Sequence, residues 1–517
     1  MWSALWSGCI QGLRASLVRV EVDLQSGLPS FCIVGLPDAL VRESKERVRS
    51  ALKNEQFKFP MKRITVNLAP AHLKKEGSSF ELAMALALLM ADQKWDSAVF
   101  KDILFLGELS LKGALSPVRG VLPVVLEARK RGFKTVLVPD ENAQEAAMVS
   151  DMKIYGVQHL RDAVGFLKNE IQLPRIFLNA SQPSLPSGAG VLEDYADVTG
   201  QRWAKKAIET AAAGGHHFMM IGPPGCGKSM LAKRLPTILP PLSFDESLEV
   251  TQIYSISGLL KEGRPAFTQR PFRSPHHTIS YSAMVGGGTR VLMPGEISLS
   301  HHGVLFLDEL AEFRRDVLEV LREPLEAGKI SVCRVRERFI YPARFVLAAA
   351  MNPCPCGHYG DSGQECVCGE IQIQRYQRRI SGPLLDRIDI HIFVPRMPFD
   401  GTPRTKEESS SEILPRVVSA REIQRRRFEQ MPFKVNAQMP PSVLNLFCPL
   451  DAKAEKLLQE AMTSFGFSYR TYHRILKVSR TLADLSGAQE IRPSDVAQAI
   501  HLRSLDKQGF DGNLKKF

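Results

Sequence analysis

The stretch Phe218-Met219-Met220-Ile221-Gly222-Pro223-Pro224-Gly225-Cys226-Gly227-Lys228-Ser229 joins four apolar residues to the pattern G-x-x-x-x-G-K-[ST]. A helix-like run, Met230 to Leu235, follows, so the order strand, glycine loop, helix is expected. The glycines let the loop curl until its amides face a phosphate, and the helix N-terminus adds a partial positive charge. In this pattern Lys228 reaches the β- and γ-phosphates and the Ser229 hydroxyl binds Mg²⁺. The expected ligand is a nucleoside triphosphate.

A second apolar strand, Val304-Leu305-Phe306-Leu307, runs into Asp308-Glu309. Ligands of open α/β sheets sit at the carboxyl ends of strands, where this pair falls. Asp308 is expected to hold Mg²⁺ with Ser229, and Glu309 to polarise the attacking water. A third strand, Phe345-Val346-Leu347-Ala348, leads to Asn352 in Ala350-Met351-Asn352-Pro353. Strands this apolar are buried on both faces, as in a parallel sheet.

These blocks resemble the AAA+ ATPases, which implies that the nucleotide is ATP. Asp308-Glu309 matches their acidic pair, and Asn352 their sensor 1, which orients the lytic water. Leu384-Leu385-Asp386-Arg387-Ile388-Asp389 is similar to the element that carries the arginine finger. The resemblance implies that Arg387 reaches a neighbour's ATP, a contact worth ~10³–10⁵ in rate. An ion pair of Arg387 with Asp386 or Asp389 is the competing reading. Ser468-Tyr469-Arg470 opens a helix as sensor 2 does, with Arg474 and Arg480 close by. A finger supplied in trans requires head-to-tail contacts, which close into rings. The resemblance implies a homo-hexamer.

Between the P-loop and Asp308, Ser274-Pro275-His276-His277-Thr278, Met284-Val285-Gly286-Gly287-Gly288 and the block from Pro294 to Gly303 resemble the magnesium-chelatase branch of that group. There the segment matching Gly328 to Phe345 is a hairpin aimed into the ring's pore. Arg334, Arg336 and Arg338 alternate with Val335 and Glu337, which on one strand gives the arginines one face. Such a face suits a phosphate backbone, or is a charged solvated strand. The pairs His276-His277 and His301-His302 are read as loop or intersubunit contacts rather than metal ligands.

Working outward, residues 1–172 mix strand-like and helix-like stretches. Leu17 to Leu24 alternates with period two, and Phe80 to Met90 reads as a buried helix. Lys74-Lys75-Glu76-Gly77-Ser78-Ser79-Phe80-Glu81 and Leu106-Gly107-Glu108-Leu109-Ser110 resemble the serine block of the Lon protease domain and the block after it. Ser79 takes the nucleophile's place, but the register puts Leu122 where that family has its lysine. Leu122 cannot deprotonate a serine, so an inactive fold is expected. Proline, glycine and serine mark a linker at 173–193, and a second linker is read at 398–412. The expected plan is α/β multidomain. It has an N-terminal Lon-like α+β domain (1–172), a central AAA+ P-loop α/β domain (194–397) and a C-terminal helical lid domain (413–517). Arg421 and Arg425 to Arg427 in the last block are read as a solvated face.

This combination resembles the YifB/ComM family, the Mg-chelatase-like AAA+ ATPases, over nearly the whole chain. The resemblance implies an ATP- and Mg²⁺-dependent hexameric motor that encircles single-stranded and branched DNA. It further implies branch migration of incoming DNA in natural transformation, with recombination proteins as possible partners. Protein remodelling, Lon-like proteolysis and chelatase-type metal insertion are the alternatives.

The 517 residues are 44% apolar and 24% charged, which excludes a mostly disordered chain. The longest uncharged apolar run, Leu82 to Ala91, is too short to span a bilayer, and no signal peptide is read. A cytoplasmic protein is expected. Lysine and arginine number 67 against 55 acidic residues, a net charge of +12, compatible with nucleic acid. Nine cysteines argue against a disulfide framework. Four of them, Cys354, Cys356, Cys366 and Cys368, can hold Zn²⁺ tetrahedrally, with His358 as a substitute ligand. Free thiols and a redox or Fe–S role remain open.

Overall fold

The computed structural model describes residues 1–178, 193–260, 267–288, 292–334, 337–361, 363–397 and 407–503. For residues 333, 334 and 337 it describes backbone only. The expected linkers at 173–193 and 398–412 fall largely on 179–192 and 398–406, outside the described residues.

The N-terminal part is built on an eight-stranded mixed sheet. A long hairpin, Trp2–Gln11 with Arg14–Gln25, forms its middle. Arg63–Ala69 and then Ser30–Val34 extend it on one side. Ile103–Phe105, Thr135–Pro139, Lys153–Val157 and Arg175–Ile176 extend it on the other. The alternation seen in Leu17 to Leu24 is real. Val18, Val20, Val22 and Leu24 are buried, while Arg19, Glu21 and Asp23 are half-buried. Helix Glu81–Gln93 covers the valine face and is buried all round from Glu81 to Ala91, as an apolar helix in a core must be. Helix Val121–Lys130 packs on the opposite face with Leu17 and Leu104.

The central sheet is all parallel, in the order Phe272–Arg273, Val304–Leu307, Val346–Met351, Phe218–Ile221, Ile390–Phe393. The P-loop strand therefore lies between two strands that come later in the chain. The crevice at such a reversal of strand order is where this architecture binds ligands. Phe218–Ile221, Val304–Leu307 and Val346–Met351 are buried along their whole length, as their composition requires.

The C-terminal helices Ser410–Arg427, Ala452–Phe465, Tyr469–Leu485 and Pro493–His501 share one apolar cluster with Ile208, Phe218 and Leu231 of the central part. A buried polar network crosses the same boundary. His216 bonds Asp389 through Nδ1 (3.1 Å) and Thr481 through Nε2 (2.8 Å), and Arg474 Nη1 donates to Asp389 (2.6 Å). The N-terminal part meets the central one where Ser255 Oγ donates to buried Glu145 (2.5 Å), and where Gly12 lies against Phe339. Among the described residues no helix is long and apolar enough to cross a membrane.

Candidate nucleotide site

The expected loop and helix are present, with the helix running Lys228–Ile238. Gly225 and Gly227 have φ of +76° and +94°, the left-handed region that a side chain at either position would strain. The loop curls around the Lys228 ammonium, which donates to the carbonyls of Gly222 (2.7 Å) and Pro223 (2.9 Å). Burial pushes the Lys228 pKa down. The same Nζ lies 3.2 Å from Asn352 Oδ1, so the P-loop and the end of the neighbouring strand meet at one cation.

Ser229 Oγ donates to Asp308 Oδ2 at 2.6 Å, joining the helix start to the end of Val304–Leu307. A hydroxyl and a carboxylate in contact at the mouth of a phosphate loop are the oxygen donors a Mg²⁺ ion prefers. Glu309 follows with φ of +51°, a backbone conformation that costs a non-glycine residue ~1–3 kcal/mol. Its amide is anchored on Asp308 Oδ1 (3.0 Å), and its side chain is exposed and 3.2 Å from His277 Nδ1. His277 is a partner the sequence reading did not assign to the site, although it stands in one of the blocks singled out.

Arg387 and Arg470 lie together, and among the described residues neither is hydrogen-bonded to these groups. Arg387 is buried; its Nη2 donates to Glu326 at 2.5 Å and its Nη1 to the Pro383 carbonyl. Its Nε has no hydrogen-bond partner among the described residues. Exposed Arg470 donates to the other oxygen of Glu326 at 3.3 Å. The ion pair weighed with Asp386 or Asp389 is therefore made with Glu326 instead. Asp389 serves His216 and Arg474, and although burial alone would raise its pKa, the Arg474 guanidinium and the hydrogen bond with His216 hold it well below the usual carboxylate range. Nothing in the sequence singles out Glu326, which comes to Arg387 from the helix Arg322–Ala327.

The expected hairpin exists as Lys329–Arg334 paired with Glu337–Pro342, but it does not carry three arginines on one strand. Arg334 ends the first strand opposite Glu337, and Arg338 pairs with Cys333 from the second. Arg336 lies outside the described residues. Arg338 is exposed, with Nη2 on Ser331 Oγ at 3.0 Å. The reading of one arginine-bearing face is thus replaced by a hairpin whose arginines come from two strands.

His301 and His302 both bond Glu249 at 2.8 Å, an intrachain contact. Arg425 and Arg426 pair with Glu422 on an exposed face, as read. Arg421 and Arg427 do not. The former caps the Ala212 carbonyl and the latter holds buried Asp484, because the helix packs its other side on the core. Ser79 lines a cavity of about 640 Å³ with Gly8, Arg119, Val121, Leu292 and Phe339. Its Oγ donates to the Gly8 carbonyl at 2.8 Å. Leu122 is wholly buried in the core.

The four clustered cysteines bring their sulfurs within 4.8 Å of one another. His358 is not among them: its Nδ1 pairs with Asp361 at 3.1 Å.

Family models for the magnesium chelatase subunit ChlI match residues 20–142 and 194–401, and a model of that subunit's C-terminal part matches 407–503. The chain is 44% identical to the competence protein ComM of Haemophilus influenzae, over 97% of each chain. It is 41% identical to YifB of Salmonella typhimurium, over 96% of each. A shorter similarity, 26% over 198 residues, relates 35% of the chain to 24% of the Lon protease of Rhizobium meliloti.

Proposed function

The chain belongs to the family of the magnesium-chelatase subunit ChlI and the competence protein ComM, and on that premise we propose that it is an ATP-hydrolysing motor acting on DNA. One observation carries the reading. Lys228, Ser229, Asp308, Glu309 and Asn352 converge at the carboxyl edge of a parallel sheet, while Arg387 and Arg470 are held on Glu326 and, among the described residues, bond none of them. The site has every group for ATP hydrolysis except an arginine, and the arginines are presented elsewhere. A neighbouring copy placed head-to-tail supplies them, which closes a ring. Six copies are the number the family suggests.

In this reading the P-loop amides and Lys228 take the β- and γ-phosphates. Ser229 and Asp308 would hold Mg²⁺, which neutralises charge on the phosphate oxygens. Glu309 takes a proton from the attacking water, and its left-handed backbone turns the carboxylate out of the strand direction toward that water. Asn352 orients the water. Arg387 leaves Glu326 for the neighbour's γ-phosphate and stabilises the charge that develops there, with Arg470 beside it. Asp389 follows Arg387 by two residues and is held by Arg474 of the helix Tyr469–Leu485, so movement of the arginine is felt in the C-terminal helices.

The basic hairpin, with Arg334, Arg336 and Arg338, is the DNA-contacting element in this proposal, and its second strand meets the N-terminal part through Phe339. The name of the Haemophilus relative supports a role in competence, and the resemblance to that family is the ground for proposing branch migration of incoming single strands with recombination proteins, in the cytoplasm. The domain division at 1–172, 194–397 and 413–517 belongs to the same proposal. The test is steady-state ATP turnover without DNA, with single-stranded DNA and with a four-way junction. The expected result is stimulation by DNA, strongest with the junction. Turnover indifferent to every DNA would move the reading to protein remodelling.

A further inference from the structure

Two copies of one short motif, Cys354-Pro355-Cys356-Gly357 and Cys366-Val367-Cys368-Gly369, face each other immediately after Asn352. The sulfur of Cys354 lies 3.4 Å from that of Cys356 and 3.7 Å from that of Cys366, and Cys356 lies 3.6 Å from Cys366. Four ligands at ~2.3 Å around one tetrahedral ion are about 3.8 Å apart along each edge. The observed spacings are close to that value. A multi-iron cluster spreads its cysteines over several metal atoms, farther apart than one ion's shell.

The backbone supplies a donor to the cluster. The Tyr359 amide donates to the Cys354 sulfur at 3.3 Å, and the Gly357 amide closes the turn on the Cys354 carbonyl at 3.0 Å. An amide aimed at sulfur stabilises negative charge there and fixes the ligand's direction. Four sulfurs this close can all be thiolates only with a cation between them.

The loop is also pressed on the nucleotide site. Gly357 has φ of +87°, and a Cβ there would meet Pro224 of the P-loop at 2.7 Å. Asn352, two residues before Cys354, touches Lys228.

We propose that Cys354, Cys356, Cys366 and Cys368 bind one structural Zn²⁺, and that this ion clamps the loop carrying Asn352 onto the P-loop. The clamp half rests on the nucleotide reading above; the metal half does not.

Purified full-length protein should contain about one zinc per chain by elemental analysis. Protein grown with cobalt should show the thiolate charge-transfer band and the intense visible bands of tetrahedral Co²⁺, a readout that needs no variant. Cys356→Ser/Cys366→Ser should lose the metal, whereas the exposed Cys32→Ser should keep it. Metal-free wild-type protein whose four thiols all react with a disulfide reagent overturns the assignment, and so does iron or a disulfide at these positions.

For the clamp, a fluorescent ADP analogue is titrated against the wild type, the double variant and Lys228→Ala, with circular dichroism as the check on folding. The folded double variant should bind about tenfold more weakly, which is the scale of losses on removing supporting contacts of a site. Unchanged affinity there, with binding lost in Lys228→Ala, overturns the clamp alone. Unchanged affinity in both variants overturns the nucleotide reading instead.

Discussion

Ser79 and Ser229 invite comparison. Each stands at the start of a buried helix, two residues before Glu81–Gln93 and second in Lys228–Ile238. Each has a lysine nearby in the sequence. Around Ser229 the polar groups come from separate strands and meet each other: Ser229 with Asp308, Lys228 with Asn352. Around Ser79 they are absorbed by local structure. Ser79 donates to the Gly8 carbonyl, the ammonium of Lys75 is buried on the Pro70 carbonyl, and Ser78 is bonded to Glu108. A serine at a helix start is thus chemically useful only where ionisable groups from other elements converge on it. The N-terminal part keeps the Lon-like fold while its polar groups hold backbone; the central part directs its own at a shared point.

Four substitutions test that contrast. The largest effect is expected from Arg387→Ala, where kcat should fall ~10³–10⁵-fold with nucleotide affinity nearly unchanged. Mixing this variant with Glu309→Gln should restore turnover, because each supplies what the other's interface lacks; a mixture as inactive as its parts would contradict supply in trans. Glu309→Gln alone should lower kcat ~10²–10⁴-fold, measured by phosphate release at saturating ATP. Glu81→Ala is the N-terminal counterpart. Glu81 is wholly buried, with Arg47, Ser44 Oγ and the Leu109 amide as partners. Losing one member of a fully buried pair costs ~3–5 kcal/mol, and the partial exposure of Arg47 brings the expected loss of stability to about 2–3 kcal/mol. Denaturant melts should show that loss while nucleotide binding is retained. Lost binding with normal stability would erase the division between the two parts.

The difference between local and long-range signals also decides what the sequence could tell. The P-loop, the apolar strand before Asp308 and the helix Glu81–Gln93 are written in consecutive residues, and each stands where its pattern put it. The cysteine pairs are likewise local. The meeting of Arg387 and Arg470 at Glu326 joins three elements far apart in the chain, and a single acidic residue in Arg322–Ala327 carries no mark of it. The left-handed backbone at Glu309 is invisible because no glycine or asparagine signals it. The arginines of the hairpin were misread because period-two alternation says nothing about where a strand ends, and this one ends at Arg334. Arg421 and Arg427 look like Arg425 and Arg426 in sequence; only the packing of their helix separates buried partners from solvent.

The smallest expected effect bears hardest on the comparison. Ser79→Ala removes one hydrogen bond, from Oγ to the Gly8 carbonyl. A neutral bond of this kind is worth about 1 kcal/mol net. The loop is held at the same point by two further bonds to the Ser79 carbonyl, from Ser7 Oγ (3.3 Å) and the Gly107 amide (3.1 Å), which the substitution leaves in place. Stability should therefore drop by no more than about 1 kcal/mol, and ATP turnover should stay within twofold. A nucleophilic serine needs a base to take its proton, and here that proton lies on a backbone carbonyl, which cannot accept it. Fluorescent casein incubated with the protein and ATP should remain intact before and after the substitution. Cleavage by the wild type that Ser79→Ala abolishes would mean that a base approaches Ser79 in the working protein, and that the N-terminal part is a second active site rather than a scaffold.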